Sequence, residues 1–139
     1  MTATQTPPHV LVVDDEISIL TFAELALSEA GYEVVIATDG PEALQIVEAR
    51  GRFDVFVVDV MMPRMRGDEL GRQLRRCDPD ARVLYFTGFA DRLFDERKLL
   101  SEHEAFIEKP VTVKGLLEAV SLLTFGHTYG PGSGTRPAG

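Results

Sequence analysis

The sequence of 139 residues predicts an α/β fold: a doubly wound, five-stranded parallel sheet with helices on both faces. Five short apolar runs alternate with helical patterns along the chain, which is typical of parallel strands joined by crossover helices. The runs are continuously apolar, as expected for strands that are covered on both faces. Ligand sites in such sheets gather at the carboxyl ends of the strands, so functional residues are expected at that edge.

The predicted strands are short and rich in valine and other apolar residues. They cover 9–13, 33–37, 55–58, 83–86 and 105–107. The first helix is predicted between residue 17 and Gly31, a typical C-terminal stop. Its apolar residues are predicted mainly on one broad face: Ile17, Leu20, Phe22, Leu25 and Leu27.

Capping residues mark two further helices. Asp39 is predicted as the N-cap of the second helix, with Glu42 three residues later as in a capping box and a stop at Gly51. Thr112 is predicted to cap the last helix, "VKGLLEAVSLL". The basic residues around "RRC" are interpreted as the solvated side of a helix. The two shorter, more polar helices are predicted at 67–77 and 91–100.

Composition and charge exclude several classes of function. The net charge of −8 argues against nonspecific nucleic-acid binding, because the chain lacks the cations to neutralise a row of phosphates. The single cysteine, Cys77, cannot form an internal disulfide, which favours a reducing compartment. The start of the chain lacks a secretory signal, and no apolar run approaches the length of a membrane span. We therefore predict a soluble cytoplasmic protein without membrane or nucleic-acid partners.

One folded domain is predicted, over residues 9–124, and no internal repeats are visible. Residues 1–8 are predicted to be a disordered N-terminus. Residues 125–139 are predicted to be a disordered tail, because a segment so rich in glycine and proline buries too little apolar surface to offset the entropy of ordering.

Polar residues follow four of the predicted strands at their carboxyl ends. Parallel strands place these ends at one edge of the sheet, so residues that are distant in sequence are expected to converge there. Taken singly, each has an ordinary structural role, such as capping a helix, ending a strand or carrying a surface charge. The residues are Asp14 and Asp15 after the first strand, Asp59 after the third, Thr87 and Gly88 after the fourth, and Lys109-Pro110 after the fifth.

Electrostatics argues against the ordinary roles taken together. Carboxylates about 4 Å apart repel by about 4 kcal/mol for each pair at an effective dielectric constant of about 20, before screening. A serine or asparagine would cap a helix without that repulsion. Three acids beside a lysine therefore indicate a bound divalent cation such as Mg²⁺. A carboxylate in such a site can attack phosphorus, so Asp59 is interpreted as a phosphoryl acceptor.

Four motifs stand in the order and at spacings similar to those of one known family. They are "VLVVDDE", "VVDVMMPRMRG", "FTG" and "FIEKP". Over about residues 9–124 the chain resembles the receiver domain of bacterial two-component response regulators, of the stand-alone, single-domain type. The four motifs together are highly specific, whereas each alone is not. The resemblance implies the (βα)5 flavodoxin-like receiver fold.

The resemblance implies a role for each acid. Asp59 is expected to be the phosphoacceptor, forming a 4-aspartylphosphate. Mg²⁺ is expected to bind Asp15, Asp59 and the backbone carbonyl of Met61, with Asp14 contributing through water.

The residues of the fourth and fifth strand ends also gain roles from the resemblance. Lys109 is expected to contact one phosphoryl oxygen, and Thr87 and the backbone N–H of Gly88 are expected to contact others. The Lys109–Pro110 peptide bond is expected to be cis. Phe106 matches the position of an aromatic switch whose ring turns inward when Thr87 moves toward the phosphoryl group.

The resemblance also implies how the protein works. A sensor histidine kinase or a histidine phosphotransfer domain is expected to donate the phosphoryl group in a Mg²⁺-dependent reaction. The domain is then a switch that catalyses only its own phosphorylation and dephosphorylation, and is not a turnover enzyme. It is expected to signal through a conformational change to an unknown downstream protein. The expected contact surface is formed by segment 91–100, the fifth strand and the last helix, and homodimer formation on phosphorylation stays open.

Two departures from the family pattern are expected to affect the switch and the acceptor. Phe106 has no hydroxyl group to keep its ring at the solvent side, so we expect an appreciable inward population even without phosphate. Met61 and Phe89 are apolar residues beside the acceptor, where the family tunes the lifetime of the phosphoryl group.

Three alternatives compete with this interpretation. A phosphatase-like hydrolase with an aspartyl nucleophile has "DxD" after its first strand, where this chain has adjacent Asp14 and Asp15. A nucleotide-binding domain needs a glycine-rich turn after the first strand, and none follows "HVLVV". A receiver-like interaction module that never receives phosphate is the third, and the complete set of polar residues speaks against it.

Overall fold

The structure, a computed structural model, describes residues 6–88 and 103–126. The predicted helix at 91–100, Phe89, the first five residues and residues 127–139 lie outside this part of the chain. The strands are β1 (His9–Val13), β2 (Glu33–Ala37), β3 (Val55–Asp59), β4 (Val83–Thr87) and β5 (Glu104–Glu108). The helices in the described part are α1 (Ile17–Glu29), α2 (Gly40–Arg50), α3 (Gly67–Cys77) and α4 (Val113–Phe125).

The five strands form one parallel sheet in the order β2-β1-β3-β4-β5, which confirms the predicted fold class. Every residue of β3 is buried, as the continuously apolar sequence predicts for a central strand. In the register, Val13 lies beside Val58, and Asp59 lies beside Phe86. The carboxyl ends of β1, β3 and β4 therefore meet at one edge.

Two apolar cores cover the two faces of the sheet. One packs around Leu11, Val58 and Tyr85 and includes residues of α2 and α3. The other packs around Val12 and Phe86 and includes residues of α1 and α4. Because both faces are covered, the strands cannot shift, and the loops at their carboxyl ends start from fixed positions.

The buried face of α1 is narrower than the sequence suggested. Leu20, Ala23 and Leu27 face the core, whereas Ile17 and Leu25 are 64% and 60% exposed. At 3.6 residues per turn, the three buried residues lie on one stripe and the other two lie outside it. The prediction of one broad apolar face was therefore wrong for Ile17 and Leu25.

The caps of α2 and α4 are as the sequence predicts. Asp39 Oδ1 accepts a hydrogen bond from the Glu42 amide at 2.9 Å, and Thr112 Oγ1 accepts one from the Gly115 amide at 3.0 Å. Glu42 differs from a capping box in one respect, because its carboxylate accepts from the Thr38 amide rather than from Asp39. The first turn of α2 is thus hydrogen-bonded to Thr38 as well as to Asp39.

Candidate functional site

Three carboxylates meet at the carboxyl edge of the sheet. Asp14 and Asp15 follow β1, and Asp59 is the last residue of β3. One oxygen from each residue lies within 4.8 Å of the others, so the fold brings together the acids that the sequence places far apart. Asp14 and Asp59 are buried, whereas Asp15 is exposed. The cluster is therefore open to solvent on the side of Asp15.

Asp14 does not cap a helix. The N-cap residue of α1 is Glu16, so the helix-cap alternative for Asp14 and Asp15 was wrong. Asp14 Oδ1 accepts a hydrogen bond from the Glu16 amide at 2.9 Å, and the Asp14 amide donates to the Ala37 carbonyl at 3.2 Å. Within the described part of the chain, the buried oxygen Oδ2 has no hydrogen-bond donor. Buried acceptors normally have a hydrogen-bond donor, so an oxygen without one is a candidate ligand for an ion.

Burial raises the pKa of Asp14 to about 6, and the charges of Asp59 and Asp15 add to the rise. The amide of Glu16 and the ammonium of Lys109 oppose it. Burial also raises the pKa of Asp59, against the lowering effect of Lys109. Burial disfavours the charged forms of Asp14 and Asp59, and a nearby cation would stabilise both carboxylates.

Lys109 supplies a positive charge to this cluster. Its Nζ lies 3.2 Å from Asp59 Oδ1 and 3.9 Å from both Asp14 Oδ2 and Glu16 Oε1. Burial by itself lowers the pKa of Lys109, but the charges of Asp14 and Asp59 leave it above its ordinary value. Lys109 therefore stays an ammonium ion at neutral pH, and it contacts Asp59 more closely than Asp14.

The donor set fits a divalent cation. Three carboxylate oxygens within 4.8 Å of one another, one of them on the exposed Asp15, match the oxygen ligands that Mg²⁺ takes in proteins. The buried Asp14 Oδ2, which lacks a donor, adds a second reason. A single ammonium group does not balance three acids, so the cluster retains excess negative charge.

The chain leaves Asp59 through a tight loop, Met61–Arg66. The Gly67 amide donates to the Val60 carbonyl at 2.8 Å and closes the base of this loop. A Cβ atom on Gly67 would lie 2.2 Å from the backbone oxygen of Asp59, so only glycine allows α3 to start this close to β3. Met61 is exposed, and its backbone amide lowers the pKa of Asp59, against the effect of burial.

Thr87 ends β4 next to this cluster and Gly88 follows it, since Phe86 lies beside Asp59 in the register. The Lys109 amide donates to the Thr87 carbonyl at 2.8 Å, which fixes the start of the lysine side chain relative to β4. The Lys109–Pro110 peptide bond is cis. All the predicted polar residues of the strand ends therefore lie at the same edge.

Phe106, in β5, lies on the face of the sheet that α2 and α3 cover. Its ring centroid is 5.8 Å from that of Tyr85, and its side chain packs partly buried against the core on that face. The population of inward and outward rings that we expect from the missing hydroxyl stays a prediction.

A polar network beneath Phe106 was missed by the sequence analysis. The Tyr85 hydroxyl donates to Glu104 Oε2 at 3.2 Å, and Arg75 forms an ion pair with the same carboxylate. Gly71 makes room for the hydroxyl, because a Cβ there would lie 2.0 Å from it. Only 26% of the Arg75 side chain is exposed, so the interpretation of "RRC" as a solvated face was wrong for Arg75. No sequence signal connects an arginine of α3 to β5.

We expect the metal-free protein to lose stability as the pH rises from about 4 to about 6. The folded chain holds a proton on Asp14 up to about pH 6, whereas the unfolded chain releases it near the ordinary value of 3.8. The folded state therefore binds more protons in this window, and the free energy of unfolding falls with pH, by about 2 kcal/mol in total. Urea denaturation in EDTA across this range measures the fall.

Asp14→Asn should flatten that pH dependence and stabilise the metal-free protein at neutral pH. Asp54→Asn, at the opposite end of β3, serves as the matched control, since its side chain accepts a hydrogen bond from the His9 amide and is not part of the acidic cluster. An equal slope in wild type and Asp14→Asn would contradict the assignment to Asp14.

Comparison with known proteins decides the family. The family model described as the response regulator receiver domain matches residues 10–121. The chain belongs to this family. The receiver assignment confirms the resemblance drawn from the four motifs, and it agrees with the parallel sheet and the acidic edge described above.

Curated relatives include regulators and a kinase that contain this domain. The chain is 37% identical over 115 residues to the response regulator MprA of Mycobacterium leprae, covering 83% of this chain and 50% of that protein. It is 37% identical over 112 residues to the sensor kinase CckA of Brucella abortus, covering 80% of this chain and 12% of that protein. The receiver chain thus spans about half or less of the length of these two relatives.

Solved receiver structures share the fold along their whole length. The chemotaxis response regulator CheY4 of Vibrio cholerae is 33% identical, with a TM-score of 0.74 over 85% of this chain and 99% of that one. The receiver domain of the hybrid histidine kinase CckA is 31% identical, with a TM-score of 0.71 over 84% and 98% of the two chains. None of the helices in the described part of this receiver has the length and apolar character of a membrane span.

Proposed function

We propose that this receiver domain accepts a phosphoryl group from a phosphohistidine of a partner protein onto Asp59, in a Mg²⁺-dependent reaction. The domain acts as a switch that catalyses only its own phosphorylation and dephosphorylation. The phosphorylated form signals by a conformational change that alters its contacts with a downstream protein. The geometry around Asp59 supports this function best.

One observation carries the proposal. Asp59 lies at the end of the buried strand β3 with Lys109 Nζ 3.2 Å from its carboxylate and two further acids beside it. A purely structural ion pair would need neither the second nor the third carboxylate, and their repulsion opposes folding. A site that must hold a cation and a phosphoryl group needs the acids and the ammonium together.

The residues divide the work by position. Asp15, Asp59 and the Met61 carbonyl would hold Mg²⁺ directly, and the buried Asp14 would hold it through water. The cation, when bound, offsets the negative charge of the phosphoryl oxygens. Lys109 binds one phosphoryl oxygen through its ammonium group. Thr87, together with the Gly88 amide, donates hydrogen bonds to the others from the end of β4.

The transfer exchanges one bond to phosphorus for another. A carboxylate oxygen of Asp59 forms the new P–O bond while the P–N bond to the partner's histidine breaks, and the electron pair returns to the imidazole nitrogen. Hydrolysis by water later releases inorganic phosphate and restores the carboxylate.

Partner and location follow from the proposed chemistry. The donor is a sensor histidine kinase or a histidine phosphotransfer domain, which fits the occurrence of a related domain in the sensor kinase CckA. Both would meet the receiver in the cytoplasm. Cys77 is exposed and forms no disulfide, and a cytoplasmic thiol stays reduced. The stand-alone type, the domain boundaries and homodimer formation stay predictions.

The test uses a small donor in place of the kinase. Incubation with acetyl phosphate and Mg²⁺ should add one phosphoryl group, detected by intact-protein mass spectrometry, and EDTA should prevent the addition. Hydroxylamine should remove the group, because it cleaves acyl phosphates and leaves phosphate esters intact. A chain that takes up no phosphoryl group under these conditions, or takes it up equally in EDTA, would overturn the proposed function.

A further inference from the structure

The loop Met61–Arg66 is joined to the start of α2 by two contacts outside the acidic cluster. Arg64 donates to Asp39 Oδ2 from Nε at 3.2 Å and also from Nη2, forming a two-point ion pair. The Met65 side chain packs against Gly40, where a Cβ atom would lie 2.7 Å from the sulfur. The loop is thus held at its tip by α2 and at its base by the Gly67 amide bond to Val60.

Arg64 adopts a backbone conformation that its own side chain disfavours. Its φ angle is +72°, and in the described part of the chain it is the one residue other than glycine with a positive φ. Residues with a Cβ atom enter this left-handed region at an energetic penalty, which the surroundings must offset. The contact that Arg64 makes in this conformation is the ion pair with Asp39.

Asp39 binds both the helix and the loop. Its Oδ1 caps α2 through the Glu42 amide, and its Oδ2 receives Arg64. The hydrogen bond from Arg64, followed by the one from Glu42, lowers the pKa of Asp39, so it stays ionised at neutral pH. Two residues before it, the Ala37 carbonyl accepts from the Asp14 amide at 3.2 Å. Residues 37–40 therefore contact both the backbone of Asp14 and the loop that follows Asp59.

We propose that Arg64 and Asp39 are positioning residues, which hold the loop so that the Met61 carbonyl faces the cation site. This inference rests on the proposed function, because it assumes that Met61 is a ligand. Neither residue belongs to the acidic cluster. Their ion pair fixes the tip of a loop whose first residue is Met61, and a fixed ligand binds the cation without first losing conformational freedom.

Arg64→Met separates positioning from simple charge effects, and Asp39→Asn breaks the same contact from the other residue. Arg64→Met removes a positive charge near the cluster, so Coulomb's law alone predicts tighter Mg²⁺ binding, whereas loss of positioning predicts weaker binding. Asp39→Asn keeps an oxygen for the Glu42 amide while removing the charge that holds Arg64. We expect each variant to weaken Mg²⁺ binding by about three- to tenfold. The double variant should be as weak as either single variant, because both break the same contact.

The readout is Mg²⁺ titration by calorimetry, together with amide hydrogen exchange of Met65 and Gly67. Both amides are hydrogen-bonded in the folded loop, at 2.8 Å to the Pro63 and Val60 carbonyls, and should exchange faster in the variants. Arg72→Met and Glu69→Gln are matched controls, since they break an arginine–carboxylate pair that lies within α3 and includes no loop residue. These controls should change neither measurement by more than about twofold.

The outcomes distinguish this inference from the proposed function. If wild type binds Mg²⁺ and Asp59→Asn does not, while Arg64→Met binds as tightly as wild type or tighter, the positioning role is overturned and the proposed function stands. If wild type binds no Mg²⁺, the proposed function fails, and unchanged loop exchange would reject the ion pair as the holder of the loop. Should Arg64→Met fail to fold, Arg64→Gly removes the side chain and the φ penalty together, and it should still bind Mg²⁺ more weakly.

Discussion

Asp59→Asn is expected to abolish phosphorylation by acetyl phosphate while leaving the domain folded. The amide of asparagine has nearly the shape of the carboxylate but is a poor nucleophile toward phosphorus. Asp59 is expected to be the acceptor because its carboxylate has the closest contact with Lys109, 3.2 Å against 3.9 Å for Asp14. Intact-protein mass spectrometry after incubation with Mg²⁺ measures the loss.

The fold should survive this substitution. Asparagine removes one of three like charges from the cluster, which offsets the loss of the ion pair with Lys109. A thermal melt should therefore show a transition at least as cooperative as that of wild type. Asp54→Asn changes the charge by the same amount at the other end of β3 and should be phosphorylated normally. Labelling of Asp59→Asn at the wild-type level would place the acceptor on another residue.

Gly67→Ala is expected to lower the free energy of unfolding by about 3 kcal/mol and to impair phosphorylation as well. The added Cβ would lie 2.2 Å from the Asp59 carbonyl oxygen and 2.8 Å from Val58 Cγ1. Those atoms belong to a strand buried on both faces, so the strand cannot yield. The start of α3 must move instead, and the loop that carries Met61 moves with it. Urea denaturation and acetyl phosphate labelling measure the two effects.

Gly71→Ala separates the two effects on the same helix. Its Cβ would meet the Tyr85 hydroxyl, the far end of a side chain, at a point remote from Asp59. We expect a loss of stability without a loss of labelling. Arg76→Ala, at an exposed position of α3, should change neither. Normal labelling of Gly67→Ala would show that the acceptor tolerates a shift of α3.

The sheet and most helix ends were predictable because their signals are local. Strand β3 is a run of apolar residues that ends at Asp59, and the caps of α2 and α4 depend on residues three positions apart. The meeting of Asp14, Asp59 and Lys109 is not local, yet it follows from the rule that parallel strands align their carboxyl ends. Strands β3, β4 and β5 are each longer than predicted, because polar residues at strand ends continue the hydrogen-bonded ladder.

The contacts that sequence reasoning missed depend on loop conformation or on side-chain direction. Arg64 reaches Asp39 with its backbone in the left-handed region. Arginine is not a residue type that predicts this conformation. Arg75 reaches Glu104 only because Gly71 leaves space beside Tyr85. Leu25 is apolar but exposed, since helix geometry and not residue type sets its direction. Each case needs the packed neighbours before it can be inferred.

The acidic cluster is assembled from separate strands, so ligand binding at the cluster is coupled to folding. An unfolded chain holds Asp14 and Asp59 far apart, so a ligand of the cluster binds the folded state almost exclusively. By mass action, a ligand at about one hundred times its dissociation constant adds about 2.7 kcal/mol to the free energy of unfolding. The melting temperature thus becomes a direct measure of site occupancy. The bare protein, with three acids held together, stays below the stability that its own core would otherwise permit.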